Sequence, residues 1–283
     1  MGTSERDDDL ETSEPLPPNT GRSQSLERGL AILSSFSESR PLLGIAELGR
    51  DVELNKSTTH RYVATLTALG FLQQDVDTRK YRLGPRVVEM GFAAVNSLEI
   101  TRLAGRALQS LSDETGCTVS MAVLDGTDIV YVDRRRSIRE GKFGIELNLH
   151  VGSRLPAYCT SLGKMLLAHQ PPERLKILLD RTDLARRGPH TITAREALLT
   201  NLRQVRGTGV ALNDEELTPG LRSIAAPVRD GSGTVIAAVN VAVQLSMWNG
   251  SAASILPRYE APLRRTTQEI STRMGYRPPN TRE

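Results

Sequence analysis

The sequence predicts an α+β protein in two parts, an N-terminal winged helix-turn-helix over residues 22–85 and an α/β domain over 99–277, joined by a linker helix at 86–98. Three observations carry this. An apolar-periodic segment at 43–50 breaks at Val52-Glu53-Leu54 and resumes at Asn55 through Leu66, the pattern of helix, tight turn, helix. Two short strand-like runs, 71–74 and 80–83, follow at once around a polar turn. Beyond residue 98, strand-like and helical segments intermix up to the C-terminal region.

Each element has a local reason. Residues 1–21 are rich in Ser, Thr, Pro, Asp and Glu and hold almost no apolar side chains, so they read as a disordered acidic tail. Ser25 is the expected N-cap of a first helix carrying Leu26, Leu30 and Leu33, and Arg40-Pro41 ends that element. Ile45, Leu48 and Val52 mark a second helix. Asn55 caps a third, which turns Thr59, Val63 and Leu66 inward. Helices this short need one another, so a small trihelical core is expected. The turn at 75–79 is rich in Asp and Thr, and Gly84-Pro85 closes the module.

Val87, Met90, Gly91 and Ala94 recur at helical spacing in the linker, and a further helix covers 101–115. Strands at 118–124 and 129–133 flank Asp125-Gly126, a hairpin signal. Helices are expected at 161–169, 172–179, 194–207 and 251–274, and strands at 210–213, 223–229 and 235–242. One antiparallel sheet flanked by helices accommodates them.

The chain is 39% hydrophobic and 24% charged, as globular proteins are. No window approaches the roughly 18 uncharged apolar residues of a membrane span. The acidic N-terminus lacks the apolar core of a secretory signal, so a cytoplasmic location is expected. Net charge is +3, made up of a net −5 over the first 21 residues and a net +8 over the rest of the chain. Cys117, Cys159 and the four histidines form no metal-ligand spacing, and no cofactor fingerprint, nucleophile elbow or P-loop is present, so neither metal, cofactor nor catalysis is expected. Both cysteines read as buried apolar residues.

In a winged module the second helix of the turn motif enters the major groove with its N-terminal half at the base edges. Here that half comprises Asn55, Lys56, Ser57, Thr58, Thr59, His60, Arg61 and Tyr62. Lys56 and Arg61 suit guanine or phosphate, and Ser57 and Thr58 hydrogen-bond in both senses. Arg79 and Lys80 at the wing suit the backbone or the minor groove, and Arg22 and Arg28 are further phosphate candidates. The expected partner is double-stranded operator DNA.

On Ser25-Leu26-Glu27-Arg28-Gly29-Leu30-Ala31-Ile32-Leu33, Lys56-Ser57-Thr58-Thr59-His60-Arg61, Tyr81-Arg82-Leu83-Gly84, Ser161-Leu162-Gly163-Lys164, Asn213-Asp214-Glu215-Glu216 and Gly220-Leu221-Arg222-Ser223-Ile224-Ala225-Ala226-Pro227, the chain resembles the IclR family of bacterial transcriptional regulators. The stretch from Leu147 to Ser161 looks like the branch regulating protocatechuate, p-hydroxybenzoate and β-ketoadipate catabolism. The resemblance implies a GAF-like effector domain that binds a small organic acid, and dimers that associate into tetramers on DNA. It implies a carboxylate cradle at the backbone N–H groups of Ser161 and Leu162, with Asn213, Ser223, Asn240 and Ala242 lining the same pocket. Met121, Tyr158 and Arg154 are added as pocket residues, Arg154 for its guanidinium fork. Asn213, Ser223, Asn240 and Ala242 depart from the family's usual types. That favours an aromatic acid or a longer dicarboxylate over a small 2-oxo acid. Arg134-Arg135-Arg136 reads as a solvated strand end, and Asp214-Glu215-Glu216 as an exposed acidic turn or a helix-packing partner.

Overall fold

A computed structural model describes residues 23–37, 39–97, 99–136, 149–245 and 255–277. The expected tail at 1–21, Arg22 and the first residues of the expected final helix lie outside them. The chain divides into two units, residues 1–94 and 95–283.

In the first unit, Ser23 rather than Ser25 caps α1 (Gln24–Ser34), its hydroxyl accepting the Leu26 N–H at 3.4 Å. The face that α1 buries also differs from expectation: Ile32 is fully buried, whereas Leu26 and Leu30 are exposed. Helix α2 (Ile45–Asp51) begins where the Glu47 carboxylate accepts the Gly44 N–H at 2.7 Å. That bond, then Lys80, hold the Glu47 carboxyl below its ordinary value. Asn55 caps α3 (Lys56–Ala68) as expected, its Oδ1 accepting the Thr58 N–H at 2.9 Å. Gly49 lets α2 and α3 approach, since a Cβ there would stand 2.9 Å from Leu54 O and 3.0 Å from Thr59 Oγ1.

The wing strands β1 (Leu72–Gln74) and β2 (Tyr81–Leu83) pair antiparallel, with Leu72 opposite Leu83. Asp75 Oδ1 accepts both the N–H and the hydroxyl of Thr78, and Arg79 takes a left-handed conformation at φ +58°. Ile32, Leu43, Leu48, Val63, Leu72 and Tyr81 form the core. Leu26, Leu30, Leu33, Leu66, Phe71 and Met90 line an apolar groove of about 860 Å³ on the surface of this unit. Met90 comes from α4 (Pro85–Ser97), the expected linker helix.

The second unit contains a six-stranded antiparallel sheet in the order β5-β4-β3-β8-β7-β6. Its strands are β3 (Thr118–Asp125), β4 (Asp128–Arg135), β5 (Arg154–Pro156), β6 (Ala211–Asp214), β7 (Leu221–Arg229) and β8 (Val235–Gln244). Gly126 at φ +58° opens the two-residue turn between β3 and β4. Helices α5 (Glu99–Thr115) and α9 (Ile255–Arg273) pack on one sheet face, where alternate residues such as Val119, Met121, Val239 and Val241 join their core. The opposite face receives α6 (Ser161–Ala168), with α7 (Pro172–Asp180) and α8 (Arg195–Thr208) behind it. Strand β5 and the 3-10 turn at Ala157–Cys159 were not anticipated; a three-residue strand ending in proline carries no periodicity to read.

Helix α6 sits unusually close to the 3-10 turn. A Cβ on Gly163 would lie 2.2 Å from Ala157 O and 2.3 Å from Ala157 Cα. Both are backbone atoms, so neither can swing aside. Gly163→Ala is therefore expected to cost at least about 1–3 kcal/mol, read as a lower melting temperature of the full chain. A loss within roughly 0.5 kcal/mol, the range of an ordinary surface change, would show that the turn gives way.

Candidate DNA-reading face and ligand cavity

Lys56, Ser57, His60 and Arg61 share the exposed face of α3, with Thr58 half-buried at its margin. This face is what the 3.6-residue period requires once Thr59 and Val63 point inward. Thr59 is corrected as a DNA contact: it is fully buried, and its hydroxyl donates to Asn55 O at 2.9 Å. Tyr62 is half-buried, packing on the trihelical core and lining the apolar groove. The Asn55 side chain is occupied by its cap bond and by the Ser57 hydroxyl at 2.9 Å. His60, placed in that half without a role of its own, is exposed as the same period requires. At the wing Arg79 is exposed, whereas Lys80 Nζ pairs with Glu47 Oε2 at 3.2 Å.

In the second unit, a cavity of about 40 Å³ opens beside the start of α6. Its floor consists of cross-strand neighbours on the α6 face of the sheet. One row runs Thr118, Ala242, Ser223, Asn213, and the next holds Arg134, Ser120 and Asn240. The four residues Asn213, Ser223, Asn240 and Ala242 all line the cavity. Asn213 donates to Cys159 O at 2.6 Å and accepts the Glu216 N–H at 3.2 Å. Asn240 Oδ1 accepts the Ser120 N–H at 3.2 Å, and the Ser223 and Ser161 hydroxyls lie 2.7 Å apart. Thr160 caps α6, accepting the Gly163 N–H at 3.1 Å, and reaches the cavity wall. Leu162 is buried in the core, so only its backbone belongs to the helix start.

Three expected pocket residues lie elsewhere. Met121 falls on the α5/α9 face, because strand alternation turns it away from Ser120 and Ala122. Tyr158 is a core residue whose hydroxyl donates to Ala185 O at 2.5 Å. Arg154 lies on the edge strand β5, where Asp125 Oδ2 at 2.6 Å and Asp128 Oδ2 at 3.4 Å hold it.

The guanidinium in the cavity is instead that of Arg134, half-buried and donating to Ser120 Oγ at 3.2 Å. Its reading as part of a solvated strand end is therefore corrected. The cause is a β-bulge: Met121 pairs with Asp133 but Ala122 pairs with Tyr131, leaving Val132 as the extra residue. The bulge puts Tyr131 and Arg134 on the same face, although strict alternation would separate residues three apart. Burial pushes the Tyr131 phenol up to about 12, against the opposing charge of Arg134, so the phenol is neutral at physiological pH.

Below the cavity, Lys164 Nζ forms an ion pair with Glu216 in the interior. Glu216 is thus a partner of α6 rather than an exposed residue, and burial, opposed by Lys164, raises its carboxyl pKa. Asp214 and Glu215 lie near His190 but face Arg222, which pairs with both. Cys159 is buried and its thiol pushed up to about 11 by that burial. No helix among the described residues is long and apolar enough to cross a membrane.

Comparison with known proteins agrees with this anatomy. Residues 25–76 match the IclR helix-turn-helix domain, and residues 92–272 match the domain described as bacterial transcriptional regulator IclR C-terminal. The Pca regulon regulatory protein of Pseudomonas putida is 38% identical over 221 residues, 78% of this chain and 74% of that protein. The transcriptional regulator XynR of Escherichia coli K12 is 34% identical over 253 residues, 89% of this chain and 98% of that protein. Among solved structures, an IclR homolog from Microbacterium hydrocarbonoxydans complexed with 4-hydroxybenzoate superposes with a TM-score of 0.77 at 28% identity, covering 88% of this chain and 98% of the homolog. The α+β architecture, the helix-turn-helix and the extent of these matches lead to one conclusion: the chain belongs to the IclR family of bacterial transcriptional regulators.

Proposed function

We propose that this regulator controls an aromatic-acid catabolic operon, reading operator DNA with paired winged heads and responding to a small organic acid in the cavity beside α6. The observation that carries the effector assignment is the polar floor. Thr118, Asn213, Ser223, Asn240 and Arg134 line the cavity on a sheet face whose neighbouring buried residues are apolar and packed by α6. Polar groups are costly to bury unless matched, so such a cluster suits a polar ligand. The similarity to the Pca regulon regulatory protein and to the 4-hydroxybenzoate complex supports an aromatic acid.

On the DNA side, Lys56, Ser57, His60 and Arg61 meet base edges or phosphates, and Arg79 with Lys80 contact the flanking backbone. Two such heads require two copies of the chain. The apolar groove between α1, α3 and α4 supports a dimer, since exposed apolar surface of that extent marks interaction sites. Sedimentation of the full chain as a monomer would overturn this part.

The cavity of 40 Å³ is smaller than the roughly 150 Å³ that accepts a benzene ring. An aromatic acid therefore displaces the leucine rim formed by Leu149, Leu217 and Leu221. Binding that reshapes the domain biases the heads, and operator DNA alters effector affinity by the same factor.

A thermal-shift screen with 4-hydroxybenzoate, protocatechuate, β-ketoadipate and simple 2-oxo acids tests the reading. At a hundredfold excess over Kd a ligand adds about 2.7 kcal/mol of stability, so an aromatic-pathway acid is expected to raise the melting temperature by several degrees. A shift from 2-oxo acids alone would move the protein to another small-acid pathway. No shift from any aromatic-pathway acid would sink the aromatic assignment.

A further inference from the structure

We infer that Arg134 reads the effector's carboxylate, so that the acid lies with its charged group at the β4 side of the cavity and an oxygen-bearing far end at the start of α6. This rests on the reading that an organic acid occupies the cavity. Among the described residues lining the cavity, Arg134 is the only one with a charged side chain. The start of α6 offers about half a positive charge, and the groups around it are already engaged. The Ser161 and Ser223 hydroxyls bond each other, Asn213 is engaged through both ends of its amide, and Thr160 caps Gly163.

The two ends are distinct. Strands β4 and β7, which carry Arg134 and Ser223, stand three strand spacings apart, about 14 Å between backbones. A carboxylate is drawn to the full charge and the planar N–H fork of Arg134. The α6 end, lined by hydroxyls and amides, suits a phenol hydroxyl or a second, solvated carboxylate. The Val132 bulge places Arg134 on the cavity face together with Tyr131, and bulges commonly re-aim side chains at functional sites.

Isothermal titration of the full chain with 4-hydroxybenzoate and its uncharged analogue 4-hydroxybenzamide tests this. Arg134→Gln is expected to weaken the acid about 10- to 100-fold, the scale of a hydrogen bond to a charged group. The amide should change less than about threefold. Arg134→Lys, which keeps the charge but not the fork, should fall between, and the unliganded melting temperature of each variant checks folding. β-Ketoadipate should show the same dependence on Arg134. Binding of the acid by Arg134→Gln within about twofold of the parent would overturn the inference, as would equal weakening of acid and amide. If the parent bound neither 4-hydroxybenzoate nor β-ketoadipate, the effector class itself would fall and the inference with it.

Discussion

Arg61→Ala is expected to abolish sequence-specific operator binding while leaving effector binding and melting temperature unchanged. Arg61 is exposed on α3, and among the described residues its side chain makes no hydrogen bond or ion pair. Removing it therefore disturbs no packing, and surface changes of this kind stay within about 0.5 kcal/mol of stability. A bidentate contact to a base contributes about 1–3 kcal/mol per head, and two heads on one operator compound the loss. Fluorescence anisotropy on operator and on scrambled DNA separates the possible roles. Loss confined to the operator identifies a base-reading contact. Equal loss on both, with a shallower salt dependence, identifies a phosphate contact. Unchanged operator affinity would exclude Arg61 from the interface, and simultaneous loss of effector binding would mean that it supports the fold.

The candidate DNA-reading face was legible because it depends on local rules. An asparagine before a helical period, a turn rich in Asp and Thr, and a 3.6-residue repeat locate α3, its cap and the wing within a residue or two. The same period turns Thr59 inward with Val63 and Leu66, which conflicts with a groove contact for it, and leaves His60 outward beside Arg61. Helix α1 was misread where two rules competed. Ser23 and Ser25 are both acceptable caps, and the Leu26–Leu30 stripe signals an apolar face without saying what covers it.

The cavity was legible residue by residue but not as an assembly. Alternation along β3 places Thr118, Ser120 and Ala122 on one face and Met121 on the other. That was readable in the sequence and would have removed Met121. The rows joining Arg134 to Asn240 and Thr118 to Asn213 depend on cross-strand register, a non-local property. A bulge at Val132 leaves no mark in composition, so Arg134 looked like surface while Arg154, an edge-strand residue held by two carboxylates, looked like an anion fork.

Lys164→Met is expected to destabilise the second unit by about 3–5 kcal/mol at neutral pH, because it leaves a carboxylate buried without its counter-charge. Lys164 and Glu216 are both almost wholly inaccessible to solvent. The parent Glu216 carboxyl is already raised by burial, with Lys164 pulling the other way. Without Lys164 the folded-state pKa rises further, while the unfolded value stays near the ordinary 4.3 or so. A folded pKa above the unfolded one means that stability is retained below the unfolded value and lost as pH rises through the folded value. The gap in melting temperature between parent and variant should therefore be small near pH 4.5 and wide at pH 8. Adding Glu216→Leu should recover most of the loss, since an apolar pair of similar volume removes the buried charge altogether. A gap independent of pH, or a double variant no better than the single, would refute a coupled buried ion pair. The pair also adjoins the candidate ligand site. The Glu216 N–H bonds Asn213 Oδ1 on the cavity floor, and Leu217, the next residue, forms part of its rim. The single variant should therefore lose effector affinity at pH 8, whereas the double variant, with the chain again held against α6, should regain it.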